Sequence, residues 1–107
     1  MNPIDRHILT TEDSLLLVID LQERLAAAMD QAALPRLIRN VAILLDSAHE
    51  LGLPVLVTEQ YVKGLGPTLP ALKERSAHAR YLEKISFSCC GNDGFMAELK
   101  ATGKKQI

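Results

Sequence analysis

The sequence is poor in the residues that mark several classes of protein. It has no tryptophan, only 4% aromatic residues, and two cysteines that are neighbours, Cys89 and Cys90. Adjacent cysteines cannot link distant parts of a chain, which argues against a secreted disulfide scaffold. The three histidines, His7, His49 and His78, lie far apart without the spacing of metal ligands. We therefore predict no metal site and no cofactor.

The chain also lacks an excess of one charge and any long apolar run. Its 12 basic and 13 acidic residues are interspersed and leave a net charge of −1, which argues against nucleic acid or anionic lipid as a partner. The longest apolar run is too short to span a bilayer. Met1–His7 has no basic segment followed by an apolar one, so we predict no signal peptide and expect a cytoplasmic protein without a membrane partner.

Strand-like and helical segments alternate in the first half of the chain. Leu15–Ile19 is a continuous apolar run, typical of a strand buried on both faces in a parallel sheet. Apolar spacing predicts a helix over 35–51, with Pro35 in its first turn and Gly52 as its end. The expected inward stripe of this helix is Leu37, Ile38, Val41, Leu44, Leu45, Ala48 and Leu51. Val55–Thr58 is predicted as a second buried strand, which completes a βαβ unit.

The second half of the chain is predicted to continue the same alternation. A glycine-bearing loop covers 60–68, a short helix follows near 69–75, and 81–86 has the pattern of a less hydrophobic strand. Asn92 is expected to cap a last helix that ends at Gly103. In that helix the inward residues are Phe95, Met96 and Leu99.

The predicted fold is a single α/β domain over residues 1–107, with an open, three-layer, mostly parallel sheet of Rossmann-like arrangement. Lys104 onward has the pattern of the entry to a fourth strand. We therefore expect the sheet to be incomplete at its C-terminal end. One edge of the apolar run Leu15–Ile19 would then lack a neighbour, and exposed apolar edges promote association.

Polar residues follow the predicted strands, at the edge where open α/β sheets bind ligands. Asp20 follows the first strand, Glu59 follows the second, and Lys84 lies within or just after the third. Taken singly, Asp20 is better explained as a helix N-cap or a loop carboxylate, and Lys84 as a solvated lysine on an edge strand. Together, an acid and an amine at one crevice are candidates for proton transfer.

Four sequence blocks contain or adjoin these residues: Leu16–Gln22, Pro54–Tyr61, Lys63–Leu69 and Glu83–Ser88. Their residues, order and spacing resemble the isochorismatase-like cysteine hydrolases, above all the subgroup with a Thr-Glu-Gln and Lys-Gly-Leu-Gly-x-Thr loop. The resemblance covers essentially the whole chain and implies the N-terminal portion of such a hydrolase. It implies a catalytic Asp, Lys and Cys, of which Asp20 and Lys84 are the matching residues here.

The cysteine of that triad has no counterpart in the 107 residues, because the resemblance puts it in the helix after the fourth strand. Cys89 and Cys90 are interpreted as packed or surface-loop thiols. The metal-binding Asp-x-His of the family's nicotinamidases is replaced by Glu59-Gln-Tyr, which argues against a metal-dependent nicotinamidase.

The resemblance also implies a substrate pocket, with subunit contact as an equal alternative role for the loop over 60–68. The expected pocket residues are Gln22, Glu59, Gln60 and Tyr61. Gly64 and Gly66 are expected to permit tight turns with positive φ in this loop.

The function implied is hydrolysis of a small amide or related C–N bond, and the 107 residues alone are expected to be inactive. A non-catalytic interaction or scaffold domain is the alternative, and a small ligand-binding or receiver-like module ranks third. The expected partners are a small-molecule substrate and either copies of the same chain or further polypeptide that completes the sheet.

Overall fold

Three parallel strands form the centre of the structure, a computed structural model that describes Ile4 and residues 7–107. The strands are β1 (Leu16–Ile19), β2 (Val55–Gln60) and β3 (Arg80–Lys84). The helices are α1 (Glu23–Ala27), α2 (Leu34–Leu51), α3 (Val62–Leu65), α4 (Pro70–Lys73) and α5 (Asp93–Ala101), with a 3₁₀ turn at Cys89–Gly91. Most of the N-terminal segment for which we predict no signal peptide lies outside the described residues.

Both strand pairs are parallel, which confirms the predicted α/β class. β1 pairs with β2 up to Ile19 and Thr58, and β2 pairs with β3 up to Gln60 and Lys84. Because parallel strands end at the same edge of a sheet, the residues that follow the three strands lie on one side of the molecule.

Apolar side chains cover both faces of the sheet and give it the predicted three layers. Residues of α2 and α4 pack on one face, in a buried cluster of Val18, Leu45, Ala48, Val55, Val57 and Leu72. α5 packs on the other face, in a cluster of Leu15, Leu56 and Phe95. Leu56 points away from Val55 and Val57 because successive strand side chains alternate. Both faces of the central strand are therefore buried.

Helix α2 confirms the predicted helix, but its apolar stripe is narrower than expected. Pro35 lies in the first turn, and Gly52 closes the helix with φ +70. Leu45 is 1% exposed, whereas Leu44 and Leu51 are 52% and 58% exposed. Their predicted inward orientation is wrong because each residue turns about 100° around an α-helix, which puts Leu44 on the flank.

Within the described residues, no helix combines the length and hydrophobicity needed to traverse a bilayer.

The short elements differ most from the prediction. Helix α1 was not predicted, and α3 occupies part of the predicted loop. Strand β3 ends at Lys84 rather than Ser86. The chain turns there because the carbonyl oxygens of Ser86 and Phe87 both accept hydrogen bonds from the Lys84 ammonium group.

Helix α5 is capped at its start by Asn92, and the chain after the helix returns to β1. The Asn92 side chain accepts the N–H of Phe95 at 2.8 Å, which confirms the predicted cap. Gly103 adopts a φ of +68 just after the helix. Gln106 then forms a parallel bridge with Ser14, and its carbonyl oxygen accepts the N–H of Leu15. This bridge lies at the start of the predicted fourth strand.

Candidate active site

Asp20 directly follows β1 and has an unusual backbone conformation. Its φ is +54, in the left-handed region that aspartate tolerates better than most residues. Its N–H donates to the carbonyl oxygen of Thr58, and its Oδ1 accepts the Thr58 hydroxyl at 2.8 Å. The bend after Ile19 therefore turns the carboxylate of Asp20 towards the ends of β2 and β3, where a buried hydroxyl fixes it.

Lys84 is buried at the end of β3, with 1% of its side chain exposed. Its Nζ lies 2.8 Å from Asp20 Oδ2 and 2.7 Å from Gln60 Oε1. The carbonyl oxygens of Ser86 and Phe87 lie 3.2 Å and 3.0 Å from the same nitrogen. A buried ammonium group is stable only when it is paired and hydrogen-bonded, and these four acceptors meet that condition.

Gln22 and Gln60, two of the predicted pocket residues, are joined to each other. Gln22 is fully buried, and its Oε1 accepts the backbone N–H of Gln60 at 2.5 Å. Its Nε2 donates to the carbonyl oxygens of Gln60 at 2.8 Å and Gly66 at 2.7 Å. The Gln22 amide therefore ties the end of β2 to the loop that follows it.

Glu59 and Tyr61, the other two predicted pocket residues, shape the same loop. Glu59 Oε2 accepts both the N–H and the hydroxyl of Thr68, at 2.8 Å and 2.9 Å. Tyr61 has a φ of +38 and is 50% exposed. Gly66 has the expected positive φ, but Gly64 does not: it lies in α3 against the Tyr61 ring, where an added Cβ would come within 2.3 Å.

Sequence reasoning missed Thr58 and the two carbonyl groups that bind Lys84. Thr58 is a fully buried polar residue at the end of an apolar strand, and that contrast is a signal that could have identified it. The carbonyl groups of Ser86 and Phe87 carry no such signal, because every residue has one. Their contribution depends on how the chain turns after β3.

The two cysteines lie apart from this group of side chains. Both are free thiols in the 3₁₀ turn, with Cys89 half-buried and Cys90 exposed. In the described part of the chain, neither thiol is hydrogen-bonded to Asp20 or Lys84. No cluster of three or more potential metal ligands occurs among residues 4 and 7–107. One surface cavity of about 240 Å³ lies at the opposite edge of the sheet, around Pro54, His78 and Arg80.

The group can move a proton next to a fixed positive charge. Each oxygen of Asp20 accepts one hydrogen bond, so each keeps a lone pair for a proton. The Asp20 side chain is 20% exposed, so a small molecule can approach it from outside. The buried ammonium group beside it can stabilise a thiolate or another anion. A parallel α/β sheet with this pair at its carboxyl edge has the arrangement of a candidate active site.

Comparison with known proteins gives the family. The family model described as "Isochorismatase domain" matches residues 14–107. The chain therefore belongs to the isochorismatase family, which confirms the resemblance drawn from its four sequence blocks.

Relatives of known sequence and structure agree with this membership. The chain is 36% identical over 98 residues to isochorismatase domain-containing protein 2 of Danio rerio, and the match covers 92% of the chain and 47% of the relative. It is 38% identical to the MAR1 ribonuclease of Caenorhabditis elegans, with a TM-score of 0.76 and coverage of 86% and 47%. It is 28% identical to the YcaC gene product of Escherichia coli, an octameric hydrolase of unknown specificity, with a TM-score of 0.76 and coverage of 91% and 48%. The chain thus spans about half the length of these relatives.

Proposed function

We propose that these residues belong to a hydrolase that cleaves a small amide or related C–N bond through Asp20, Lys84 and a cysteine supplied by further polypeptide. The observation that carries the proposal is the buried ion pair between Lys84 Nζ and Asp20 Oδ2, 2.8 Å apart at the carboxyl edge of the sheet. A buried ion pair often gives little net stability, so a pair at a ligand-binding edge is better explained by chemistry. The Escherichia coli relative is itself named as a hydrolase.

In the proposed reaction, Asp20 takes the proton of the cysteine thiol while Lys84 stabilises the thiolate that remains. The thiolate attacks the amide carbon and forms a tetrahedral oxyanion. When the C–N bond breaks, Asp20 returns the proton to the leaving amine and a thioester remains. Asp20 then removes a proton from water, and the resulting hydroxide attacks the thioester. When the C–S bond breaks, Asp20 returns the proton to the sulfur, which releases the acid and regenerates the thiol.

The four predicted pocket residues are given different parts in this proposal. Tyr61 is the most exposed of them and is assigned a contact with the substrate. Gln22 donates a hydrogen bond to Gly66, and Glu59 accepts one from Thr68, both in the loop after β2. We therefore assign Gln22 and Glu59 to the shaping of the pocket wall. Gln60 contacts Lys84 directly.

A second candidate is hydrolysis of RNA, because the Caenorhabditis elegans relative is a ribonuclease. The net charge of −1 and the burial of Lys84 give little support to phosphate binding. A third candidate is a scaffold domain without turnover, since neither thiol of the described chain reaches Asp20 or Lys84. Copies of the same chain are also proposed partners, because the Escherichia coli relative is octameric.

The test compares the 107-residue chain with a chain extended by whatever its gene encodes after Ile107. Both are assayed with a panel of small amides and with an RNA oligonucleotide. We expect amide hydrolysis by the extended chain alone, and a loss of about 10²–10⁴-fold in kcat in the Asp20→Asn variant. Asp46→Asn is the control, because Asp46 lies in an exposed ion pair with Arg75.

Labelling locates the nucleophile in the same experiment. An electrophilic amide such as iodoacetamide should modify a cysteine beyond Ile107 faster than Cys89 or Cys90. Faster modification of Cys89 or Cys90 contradicts the assigned triad. Cleavage of RNA without cleavage of amides supports the second candidate instead, and a gene that encodes no further residues supports the scaffold.

A further inference from the structure

Gln60 makes more contacts around Lys84 than its predicted place in the substrate pocket requires. Its Oε1 accepts Lys84 Nζ at 2.7 Å, the shortest of the four contacts of that nitrogen. Its Nε2 donates to the carbonyl oxygen of Ile85 at 2.8 Å. The Gln60 side chain therefore binds the ammonium group and also the turn that begins at Ile85. The next two residues of that turn, Ser86 and Phe87, bind the same ammonium group through their carbonyl oxygens.

The backbone of Gln60 is itself held by hydrogen bonds to the Gln22 side chain. The buried Gln22 amide accepts the backbone N–H of Gln60 and donates to its carbonyl oxygen, while its Nε2 also reaches Gly66. Gln60 is also the last residue of the central strand, where its register partner in β3 is Lys84. The contacts run from the loop after β2, through Gln22 and Gln60, to the ammonium group of Lys84.

We propose that Gln60 is a positioning residue, which fixes the ammonium group of Lys84 and couples it to the loop containing Gly66. The catalytic meaning of this role rests on the proposed function, but the contacts do not. A lysine side chain has a flexible four-carbon stem, so burial near Asp20 does not by itself fix its nitrogen. Gln60 supplies a short contact to that nitrogen in addition to Asp20. It does so from β2, which is paired with a strand on each side.

The neutral amide also explains why this residue is a glutamine. A carboxylate at the same position would compete with Asp20 for the Lys84 charge and could not donate to the Ile85 carbonyl group. An amide accepts from Lys84 with one end and donates to the turn with the other. Asp20 is then the single anion hydrogen-bonded to Lys84 in the described structure.

The test measures the reactivity of Lys84 in the 107-residue chain, by acetylation with acetic anhydride at low extent and mass spectrometry. Exposed Lys73 is the internal reference. We expect Gln60→Met, which keeps the size but loses both hydrogen bonds, to raise the Lys84 rate about tenfold or more. Gln60→Glu keeps an acceptor and adds a second anion beside the ammonium group, so it should not raise the Lys84 rate even though it loses the contact with Ile85. Gln31→Met, which removes an amide that binds α1 carbonyl groups, is the matched control.

Thiol reactivity separates positioning from general loosening of the fold. Half-buried Cys89 is titrated with a disulfide reagent in the same variants. Acceleration at Lys84 alone supports the proposal, whereas an equal acceleration at Cys89, or no change at Lys84 in a folded Gln60→Met variant, overturns it. If that variant does not fold, Gln60→Asn replaces it, because its shorter side chain keeps both polar groups but cannot span the same two contacts. Turnover is not needed, so failure here is distinct from failure of the hydrolase proposal.

Discussion

At the scale of residues, the ion pair of Lys84 with Asp20 and that of Arg75 with Asp46 differ in their surroundings. Lys84 is 1% exposed in its pair with Asp20, whereas Arg75 and Asp46 are 48% and 54% exposed in theirs. Exposed pairs contribute about 0–1 kcal/mol, because water and salt screen them. Breaking a buried pair leaves an uncompensated charge and is far more destabilising.

Asp20→Asn should therefore lower the free energy of unfolding by about 3 kcal/mol, since Lys84 loses its counter-charge in a buried position. Asp46→Asn should lower it by less than about 1 kcal/mol. Urea denaturation followed by circular dichroism measures both values. Similar values for the two variants would show that Lys84 is solvated in solution.

Adding Lys84→Met completes a double-mutant cycle. Once the ammonium group is gone, Asp20→Asn should be much less destabilising than in the unsubstituted chain. Additive effects of Asp20→Asn and Lys84→Met would contradict a direct interaction between the two side chains.

The sequence was sufficient to predict that Asp20 and Lys84 meet, because parallel strands end at a common edge. It was not sufficient for the contacts around them. Thr58 binds Asp20 through a side chain whose direction depends on strand register. The full burial of Gln22 was also not predictable, since burial depends on how the loop folds back.

At the scale of elements, local signals predicted the long helices well. Pro35 and Gly52 mark the ends of α2, and Asn92 marks the start of α5, because caps act on neighbouring backbone groups. Helix α4 lies within the predicted range 69–75, whereas α1 and α3 were not predicted because distant residues fix them. Helix α3 begins after Tyr61 in a left-handed conformation, and Glu83 accepts the N–H of Val62 from a separate strand.

The two adjacent leucines of α2 provide a matched test of its orientation. Leu45→Ala should lower the free energy of unfolding by about 2–4 kcal/mol, because Leu45 is buried against β1 and β2. Leu44→Ala changes the same residue type in the same helix and should lower it by less than about 1 kcal/mol, since Leu44 is half exposed. Equal values in chemical denaturation would show that another surface covers Leu44 in solution.

At the scale of the whole molecule, β1 has two unequal edges. On one edge, the N–H groups of Leu16 and Asp20 donate to carbonyl groups of Pro54 and Thr58. On the other edge, pairing within the described residues consists of the bridge between Ser14 and Gln106. Strand N–H groups alternate in direction, so those of Leu17 and Ile19 face this outer edge.

Hydrogen exchange can measure that difference. In the 107-residue chain, the amides of Leu17 and Ile19 should exchange at least about tenfold faster than those of Leu16 and Asp20. Nuclear magnetic resonance resolves the four amides individually. The same measurement on an extended chain should show protection of Leu17 and Ile19, if further polypeptide adds a strand there.

Association between copies is the competing explanation for a protected edge. Protection of Leu17 and Ile19 in the 107-residue chain that depends on protein concentration would indicate an intermolecular sheet. Sedimentation analysis should then find oligomers. A monodisperse monomer with fully protected Leu17 and Ile19 would contradict both the unpaired edge and the predicted need for further polypeptide.

The left-handed conformation of Asp20 has a consequence for selection. Glycine at position 20 would relax a backbone held at φ +54, and methionine at position 84 would remove a buried charge. The same replacements would leave the Gln60, Ser86 and Phe87 oxygens without their donor and the buried Thr58 hydroxyl without its acceptor. A laboratory screen for heat resistance alone should therefore retain both residues, so that robustness and turnover are selected together at these two positions.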